Sequence, residues 1–122
     1  MGKKKRILVV DDYLQVVEML RIRLETAGYE VLTAYDGHEA LQKARTEKPD
    51  LIILDVMLPK MNGYKVCRFL KFDKRYKDIP IIMLTSRAKQ SDVEIGLQTG
   101  ADEYICKPYD PVKLLKTIKK YI

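Results

Sequence analysis

Short apolar runs separated by helical patterns recur along the whole chain. Two of them, Ile7–Val10 and Leu51–Leu54, are unbroken and rich in branched residues. A third, Ile79–Leu84, carries a proline at its second position, where a strand tolerates one. Runs that are apolar on both faces are typical of strands in a parallel sheet that is covered on both sides. With two weaker candidates, Glu30–Ala34 and Glu103–Cys106, the pattern predicts five strands.

The segments between these strands show the spacing of amphipathic helices. The residues of the first segment that share one helix face are Tyr13, Val16, Val17, Leu20, Leu24 and Ala27. In segment 62–72 the same role is predicted for Val66, Phe69 and Leu70, with Asn62 as the cap. The other predicted helices cover residues 37–47, 91–99 and 111–121.

Strands and helices that alternate five times are typical of a doubly wound parallel sheet. We therefore predict an α/β fold of the flavodoxin-like type, with a five-stranded parallel sheet of order 2-1-3-4-5 and five helices. The length of 122 residues suits one domain. Because no linker or low-complexity segment interrupts the pattern, residues 1–122 are predicted to form a single domain.

The composition narrows the class of protein. Hydrophobic residues make up 47% of the chain, which excludes an intrinsically disordered polypeptide. No apolar run approaches the roughly 18 residues that a membrane span needs. The basic start is followed only by Ile7–Val10, which is too short for a secretory signal. The cysteines, Cys67 and Cys106, lack metal-ligand spacing and are predicted to be reduced. These features predict a cytoplasmic protein without membrane contact.

The net charge of +6 comes from 23 Lys and Arg against 17 Asp and Glu. The surplus is spread over residues 3–6, 65–77 and 113–120. A basic balance permits nucleic-acid binding, but charges spread in this way are more often a solvated surface. Direct nucleic-acid binding is therefore not expected, and a basic nucleic-acid-binding module stays an alternative. The one histidine, His38, lies among helix formers and is predicted to be exposed.

Carboxylates follow two of the strong strands directly. Asp11 and Asp12 come after the first strand, and Asp55 comes after the third. In the predicted strand order these two strands are neighbours at the point where the chain reverses direction, which is where such sheets bind ligands. Three carboxylates in one cleft repel one another unless a cation lies among them. Oxygen ligands without His or Cys suit Mg²⁺, with Mn²⁺ as the alternative.

The fourth and fifth strands are followed by side chains that can bind an anion. Thr85 and Ser86 follow the fourth strand with hydroxyl groups, and Lys107 follows the fifth with an ammonium group. A cation, a hydroxyl and an ammonium around one carboxylate form a site for phosphoryl oxygens. Lys107 precedes Pro108, where a cis peptide bond costs least.

Five short motifs stand at these strand ends. They are Val9–Asp12, Leu54–Pro59 with Asn62–Gly63, Leu84–Ser86, Gly100–Tyr104 and Lys107–Tyr109. Together they closely resemble the receiver domain of bacterial two-component response regulators, the family of the chemotaxis response regulator. The resemblance covers residues 7–122. Each motif alone is weak, and the match depends on all five in this order.

The resemblance implies a phosphoacceptor switch. Asp55 would accept a phosphoryl group from the histidine of a kinase. Asp12, Asp55 and the backbone carbonyl of Met57 would ligate Mg²⁺, and Asp11 would act through water. Lys107 would contact the phosphoryl group.

The resemblance also implies how the signal leaves the site. Thr85 would contact the phosphoryl group and shift toward it, and Tyr104 would turn inward. The surface of the fourth helix, fifth strand and fifth helix would then change its affinity for a downstream effector protein or domain. In the family the residues at Met57 and Arg87 influence how water reaches the acyl phosphate. Neither is suited to orienting water, so slow dephosphorylation is expected.

The first helix is expected to meet the phosphoryl donor. Leu14, Glu18 and Ile22 form a line away from its apolar face. In the family this helix docks onto a sensor histidine kinase or phosphotransfer protein, so Leu14 and Ile22 are candidate anchors. Scattered surface apolar residues are the alternative, and they need no function.

Two other functions fit the residues less well. A phosphatase of the haloacid dehalogenase type needs a second Asp two residues after its nucleophile, where this chain has Met57. The chain is therefore not expected to be an enzyme beyond its own phosphorylation and slow dephosphorylation. An inactive receiver used as a scaffold remains an alternative, but the acidic set, Thr85 and Lys107 argue against it.

Overall fold

The computed structural model describes residues 3–122, in which strands and helices alternate from end to end. The strands and helices are β1 (Arg6–Val10), α1 (Leu14–Thr26), β2 (Glu30–Ala34), α2 (Gly37–Glu47), β3 (Leu51–Leu54), α3 (Gly63–Lys71), β4 (Ile81–Thr85), α4 (Gln90–Gln98), β5 (Glu103–Cys106) and α5 (Pro111–Tyr121). All strand pairs are parallel and the order is β2-β1-β3-β4-β5, which confirms the predicted fold.

The three central strands are buried on both faces, as their unbroken apolar runs predict. Along β1, Ile7 and Val9 face a core shared with α1 and α5, whereas Leu8 and Val10 face a core shared with α2 and α3. This alternation follows from the two-residue period of a strand. The sheet is therefore a rigid layer between two helical layers, and its carboxyl edge is held in register by both.

Side-chain caps fix where three of the helices begin. Asp36, Asn62 and Asp110 accept backbone N–H groups at the starts of α2, α3 and α5. Such caps satisfy amide groups that lack a partner inside the helix. The peptide bond between Lys107 and Pro108 is cis, as the sequence suggests.

Three of the residues predicted to face inward are exposed instead. Tyr13 is 64% exposed because it is the extended N-cap of α1 and stands outside the helical register. Phe69 is 51% exposed because α3 buries Val66, Cys67 and Leu70 instead. The Val17 side of α1 is buried as predicted, although Ala27 at its end is exposed.

The predictions for the other single residues agree with the structure. His38 is exposed, and both cysteines are free thiols, with Cys67 buried and Cys106 partly buried. Within residues 3–122 no helix combines the length and apolar character that crossing a bilayer requires.

Candidate functional site

The three predicted carboxylates meet at the carboxyl edge of the sheet. The parallel register of β1 and β3 pairs Val10 with Leu54, so the next residue of each strand lies side by side. The amide of Asp55 donates to the carbonyl of Val10 at 3.0 Å. One carboxylate oxygen from each of Asp11, Asp12 and Asp55 lies within 4.8 Å of the others.

Lys107 reaches this cluster from the end of β5. Its Nζ lies 2.6 Å from Oδ2 of Asp11 and 3.3 Å from Oδ2 of Asp55. Asp11 and Asp55 are buried, whereas Asp12 is exposed to solvent. One ammonium group therefore faces three carboxylates in a cleft with one open side.

Burial and the excess of negative charge shift the pKa values of Asp11 and Lys107. Burial raises the pKa of Asp11, the bond from Lys107 opposes this, and the charge of Asp55 adds to it. Burial alone would lower the pKa of Lys107. The hydrogen bond to Asp11 and the charges of Asp11 and Asp55 outweigh burial, so the pKa of Lys107 is raised. The lysine therefore stays an ammonium ion at neutral pH.

The donor set fits a hard divalent cation. Three carboxylates supply oxygen ligands only, which suits Mg²⁺ or Mn²⁺. A single ammonium group leaves negative charge uncompensated, and a divalent cation would neutralise it. The exposed side at Asp12 leaves room for the water molecules that Mg²⁺ retains.

Two further predicted residues stand beside the cluster. The side-chain oxygen Oδ1 of Asp55 accepts the amide of Met57 at 3.2 Å, which orients the carboxylate. Thr85 ends β4, the neighbour of β3, and is fully buried. Its hydroxyl oxygen accepts the amide of Arg87 at 3.3 Å, and its carbonyl accepts the amide of Lys107 at 2.8 Å.

Tyr104, the predicted switch residue, links β5 to α4. Its ring lies against Gly96, where an added Cβ would come within 2.6 Å of ring carbon Cδ2. Its hydroxyl donates to the carbonyl of Arg87 at 2.7 Å and lies 3.5 Å from the hydroxyl of Tyr64. Burial raises the pKa of Tyr104, and Tyr64 adds to this shift. Tyr104 thus touches the loop after Thr85 as well as α4.

Sequence reasoning missed Tyr64 and the contacts of Asp92. The hydroxyl of Tyr64 donates to the carbonyl of Asp92 at 3.0 Å, so α3 is tied to α4. The Asp92 carboxylate lies 3.6 Å from the guanidinium of Arg87 and accepts the amide of Lys89. Tyr64 lies 28 residues from Asp92 along the chain, so no local spacing pattern points to that contact.

The predicted line on α1 is exposed to solvent. Leu14 and Ile22 are 59% and 64% exposed, and Glu18 pairs with Arg21 on the same helix. Beside this line, a shallow groove of about 320 Å³ separates α1 from the loop after β5. Met19 and Tyr109 lie on its two sides.

A doubly wound sheet with an acidic, lysine-bearing cleft at its switch point defines a signalling domain of the chemotaxis-regulator type. The family model of the response regulator receiver domain matches residues 7–119. The chain belongs to this family.

Relatives of known function resemble the chain in sequence. The chain is 50% identical over 115 residues to the alkaline phosphatase synthesis transcriptional regulatory protein PhoP of Bacillus subtilis, which covers 94% of this chain and 47% of PhoP. It is 45% identical over 116 residues to the DNA-binding response regulator MtrA of Mycobacterium leprae, covering 95% of this chain and 50% of MtrA. The chain thus spans about half the length of the curated relatives it matches.

Solved structures of response regulators superimpose on nearly the whole chain. The putative response regulator from Chloroflexus aurantiacus superimposes with a TM-score of 0.92 at 39% identity, covering 98% of each chain. The chemotaxis response regulator CheY4 of Vibrio cholerae gives a TM-score of 0.90 at 38% identity, covering 98% of this chain and all of CheY4.

Membership has three general consequences. Receiver domains are signalling domains of two-component systems and not enzymes in the usual sense. They generally bind Mg²⁺ at an acidic pocket, and this structure has a cluster of the carboxylates Asp11, Asp12 and Asp55. Response regulators interact with histidine kinases and with downstream effectors.

Proposed function

We propose that this domain is a switch that accepts a phosphoryl group on Asp55. The observation that carries the proposal is the contact of one ammonium group, that of Lys107, with both Asp11 and Asp55 inside a cluster of three carboxylates. A structural ion pair would need one carboxylate. Three carboxylates with one lysine form a site that a divalent cation would stabilise and that can receive a phosphoryl group.

The chain's own residues orient the acceptor for in-line attack. The amide of Met57 holds Oδ1 of Asp55, and Lys107 lies beside Oδ2. A carboxylate oxygen of Asp55 forms a bond to phosphorus while the bond from phosphorus to the donor imidazole nitrogen breaks, and that nitrogen keeps the electron pair. Lys107 would move its hydrogen bonds to the phosphoryl oxygens. Bound Mg²⁺ would be held by Asp12, Asp55 and the Met57 carbonyl, with Asp11 through water, and would neutralise charge on the transferred group.

The switch would pass from Thr85 to Tyr104. The Thr85 hydroxyl would leave the Arg87 amide for a phosphoryl oxygen, and this shift would move the loop whose Arg87 carbonyl holds the Tyr104 hydroxyl. Tyr104 packs on Gly96, so α4 would respond as well. The surface of α4, β5 and α5 would thereby change its affinity for a downstream effector, which is a two-state equilibrium biased by a new charge.

We propose the α1 face as the docking surface for the sensor histidine kinase or phosphotransfer protein. Leu14 and Ile22 are exposed apolar side chains on either side of Glu18, and the groove beside Met19 extends the apolar surface. Replacing Leu14 and Ile22 by Ser should slow transfer from the cognate kinase while phosphorylation by acetyl phosphate stays unchanged.

We also propose slow loss of the phosphoryl group. Met57 and Arg87 flank the site at the two positions that influence water access in this family, and Arg87 is engaged with Asp92 at 3.6 Å. Neither side chain is a carboxylate or an amide that could orient an attacking water molecule. A half-life of seconds for phospho-Asp55 with Mg²⁺ present would contradict this.

The cellular setting follows from the same proposal. The free thiols of Cys67 and Cys106 fit the cytoplasm, a reducing compartment. Residues 1–122 as a single domain remain a prediction, as does the expected lack of direct nucleic-acid binding.

Intact mass after incubation with Mg²⁺ and acetyl phosphate tests the acceptor. The parent chain should gain one phosphoryl group and Asp55→Asn should gain none. Asp78→Asn, which changes an exposed carboxylate outside the cluster, is the matched control and should be modified like the parent. Modification of Asp55→Asn to the same extent would move the acceptor elsewhere. No modification and no Mg²⁺ binding by a folded parent would leave the inactive scaffold.

A further inference from the structure

A second cleft, of about 1090 Å³, lies on the opposite side of the sheet from α1 and α5. We call it the α2–α3 groove. It runs from the end of α2 to α3 and the turn that follows α3. Its defining residues are Arg45, Met61, Arg68, Phe69, Phe72 and Lys74.

The groove exposes aromatic surface that the fold does not use. Phe69 and Phe72 are 51% and 70% exposed and both line the groove. The helix α3 already has its buried stripe in Val66, Cys67 and Leu70, so Phe69 is not needed for helix packing. Clustered aromatic side chains in a concave surface are the usual anchors of a protein interface.

The rim of the groove carries uncompensated positive charge. Within residues 3–122, Arg45, Lys65, Arg68 and Lys74 form no ion pair. The carboxylate in the lining belongs to Asp73, and Arg75 binds it through two nitrogens at 2.8 and 3.1 Å. An occupant with negative charge is therefore favoured, and its approach would be accelerated by this field.

The shape and the aromatic contacts favour a polypeptide over a nucleic acid. The guanidinium of Arg68 lies 5.4 Å from the centre of the Phe72 ring, so one face of that ring is already covered. Binding of single strands depends on open ring faces on which successive bases stack. A concave apolar floor inside a basic rim instead matches an apolar side chain flanked by carboxylates.

We propose that the α2–α3 groove is a docking site for an acidic segment of a partner polypeptide that inserts an apolar side chain between its carboxylates. The apolar side chain packs on Phe69 and Phe72, and the carboxylates pair with Arg68 and Lys74. Because α1 lies on the other side of the sheet, a partner in this groove leaves the α1 face free. The site is separate from the α4, β5 and α5 surface proposed for the effector.

Fluorescence anisotropy with a labelled peptide of repeating Glu-Glu-Phe units tests this site. The charge-reversed pair Arg68→Glu with Lys74→Glu should weaken binding at least about tenfold. The matched pair Lys116→Glu with Lys119→Glu makes the same change of net charge on exposed positions of α5 and should leave binding within about twofold.

A second pair of variants tests the apolar floor. Phe69→Ser should weaken peptide binding at least about fivefold, whereas Ile95→Ser removes a similarly exposed apolar side chain from α4 and should not. Far-ultraviolet circular dichroism confirms that each variant is folded.

Several outcomes would overturn the proposal. Equal loss in both charge-reversed pairs would mean that only net charge attracts the peptide. No measurable binding of the peptide would mean that the groove has no such specificity. A single-stranded oligonucleotide that binds the groove more tightly than the peptide would replace the proposed occupant with nucleic acid.

Discussion

Lys107 and Lys71 are both largely buried lysines paired with aspartate, and they differ in how completely their charge is balanced. Lys71 lies 2.8 Å from Asp102 and also donates to the carbonyls of Ile79 and Lys77 at 2.8 and 3.0 Å. Its cluster has one positive and one negative charge, and every donor of the ammonium group has a partner. Among residues 3–122, Lys107 has no carbonyl partner of this kind and faces an excess of carboxylates.

The difference separates a structural contact from a functional one. The Lys71 pair fastens α3 to the loop before β4 and to the start of β5, and nothing in its surroundings calls for a further ion. The Lys107 cluster is incomplete in charge, so it gains stability from a cation or from a transferred phosphoryl group. Both lysines are buried and paired. The functional site is therefore distinguished by its excess of negative charge and not by burial or pairing.

The largest expected effect comes from exchanging each lysine for methionine and measuring phosphorylation. Lys107→Met should lower the initial rate with acetyl phosphate by about 10²-fold or more, because a fixed positive charge at the developing phosphoryl charge is lost. Lys71→Met should stay within about twofold of the parent. Intact mass against time gives both rates, and equal losses in the two variants would remove the distinction between the lysines.

The next prediction concerns the free energy of unfolding, on which Lys71 should have the larger effect of the two lysines. Lys71→Met should lower the free energy of unfolding by about 1–3 kcal/mol, since the carbonyls of Ile79 and Lys77 lose a donor and Asp102 keeps only the amide of Ile81. With Mg²⁺ present, Lys107→Met should cost less, because the cation compensates the carboxylates. Urea denaturation measures both values. A smaller loss for Lys71→Met than for Lys107→Met would show that the Lys71 pair is not the structural one.

These two lysines also show what the sequence could predict. Thr85 ends its strand, and Asp11, Asp12, Asp55 and Lys107 lie within two residues after theirs. The parallel sheet brings all of these strand ends to one edge. Local position therefore predicted their grouping, and Lys107 was found beside Asp11 and Asp55 as expected.

Contacts that depend on helix orientation were beyond such reasoning. The Lys71–Asp102 pair and the Tyr64–Tyr104 contact join helix α3 to strand β5, and neither has a spacing signal. The same limit explains Phe69. Periodicity placed it in the apolar stripe with Val66 and Leu70, whereas the packing of α3 against the sheet leaves it exposed.

Removal of Mg²⁺ should change the free energy of unfolding by a smaller amount, and only through the Lys107 cluster. At a free Mg²⁺ concentration of about ten times Kd, the parent should gain about 1.4 kcal/mol of unfolding free energy over the chelated protein. Asp12→Asn should lose most of this gain, and Asp78→Asn, the exposed control, should keep it. Thermal unfolding with and without chelator measures the difference. An equal gain in Asp12→Asn would exclude Asp12 as a ligand.

The smallest effect concerns a second balanced contact. In it, Glu103 on β5 accepts a hydrogen bond from the hydroxyl of Tyr121 and lies 3.1 Å from Nζ of Lys120. The hydrogen bond from Tyr121 is the largest influence on Glu103, and it lowers the pKa of that carboxyl. A carboxyl whose pKa is lower in the folded state adds stability above its unfolded pKa of about 4.3, and this stability is lost as the pH falls through the folded value.

Tyr121→Phe should therefore lower the free energy of unfolding by about 0.5–1 kcal/mol near neutral pH, and the difference from the parent should shrink as the pH falls below about 4. Urea denaturation of both chains across this pH range gives the curve. A difference that stays constant down to the lowest pH would mean that Tyr121 acts through packing and not through the charge of Glu103. The contact would then not belong with the balanced pairs, because its energy would be independent of the carboxylate.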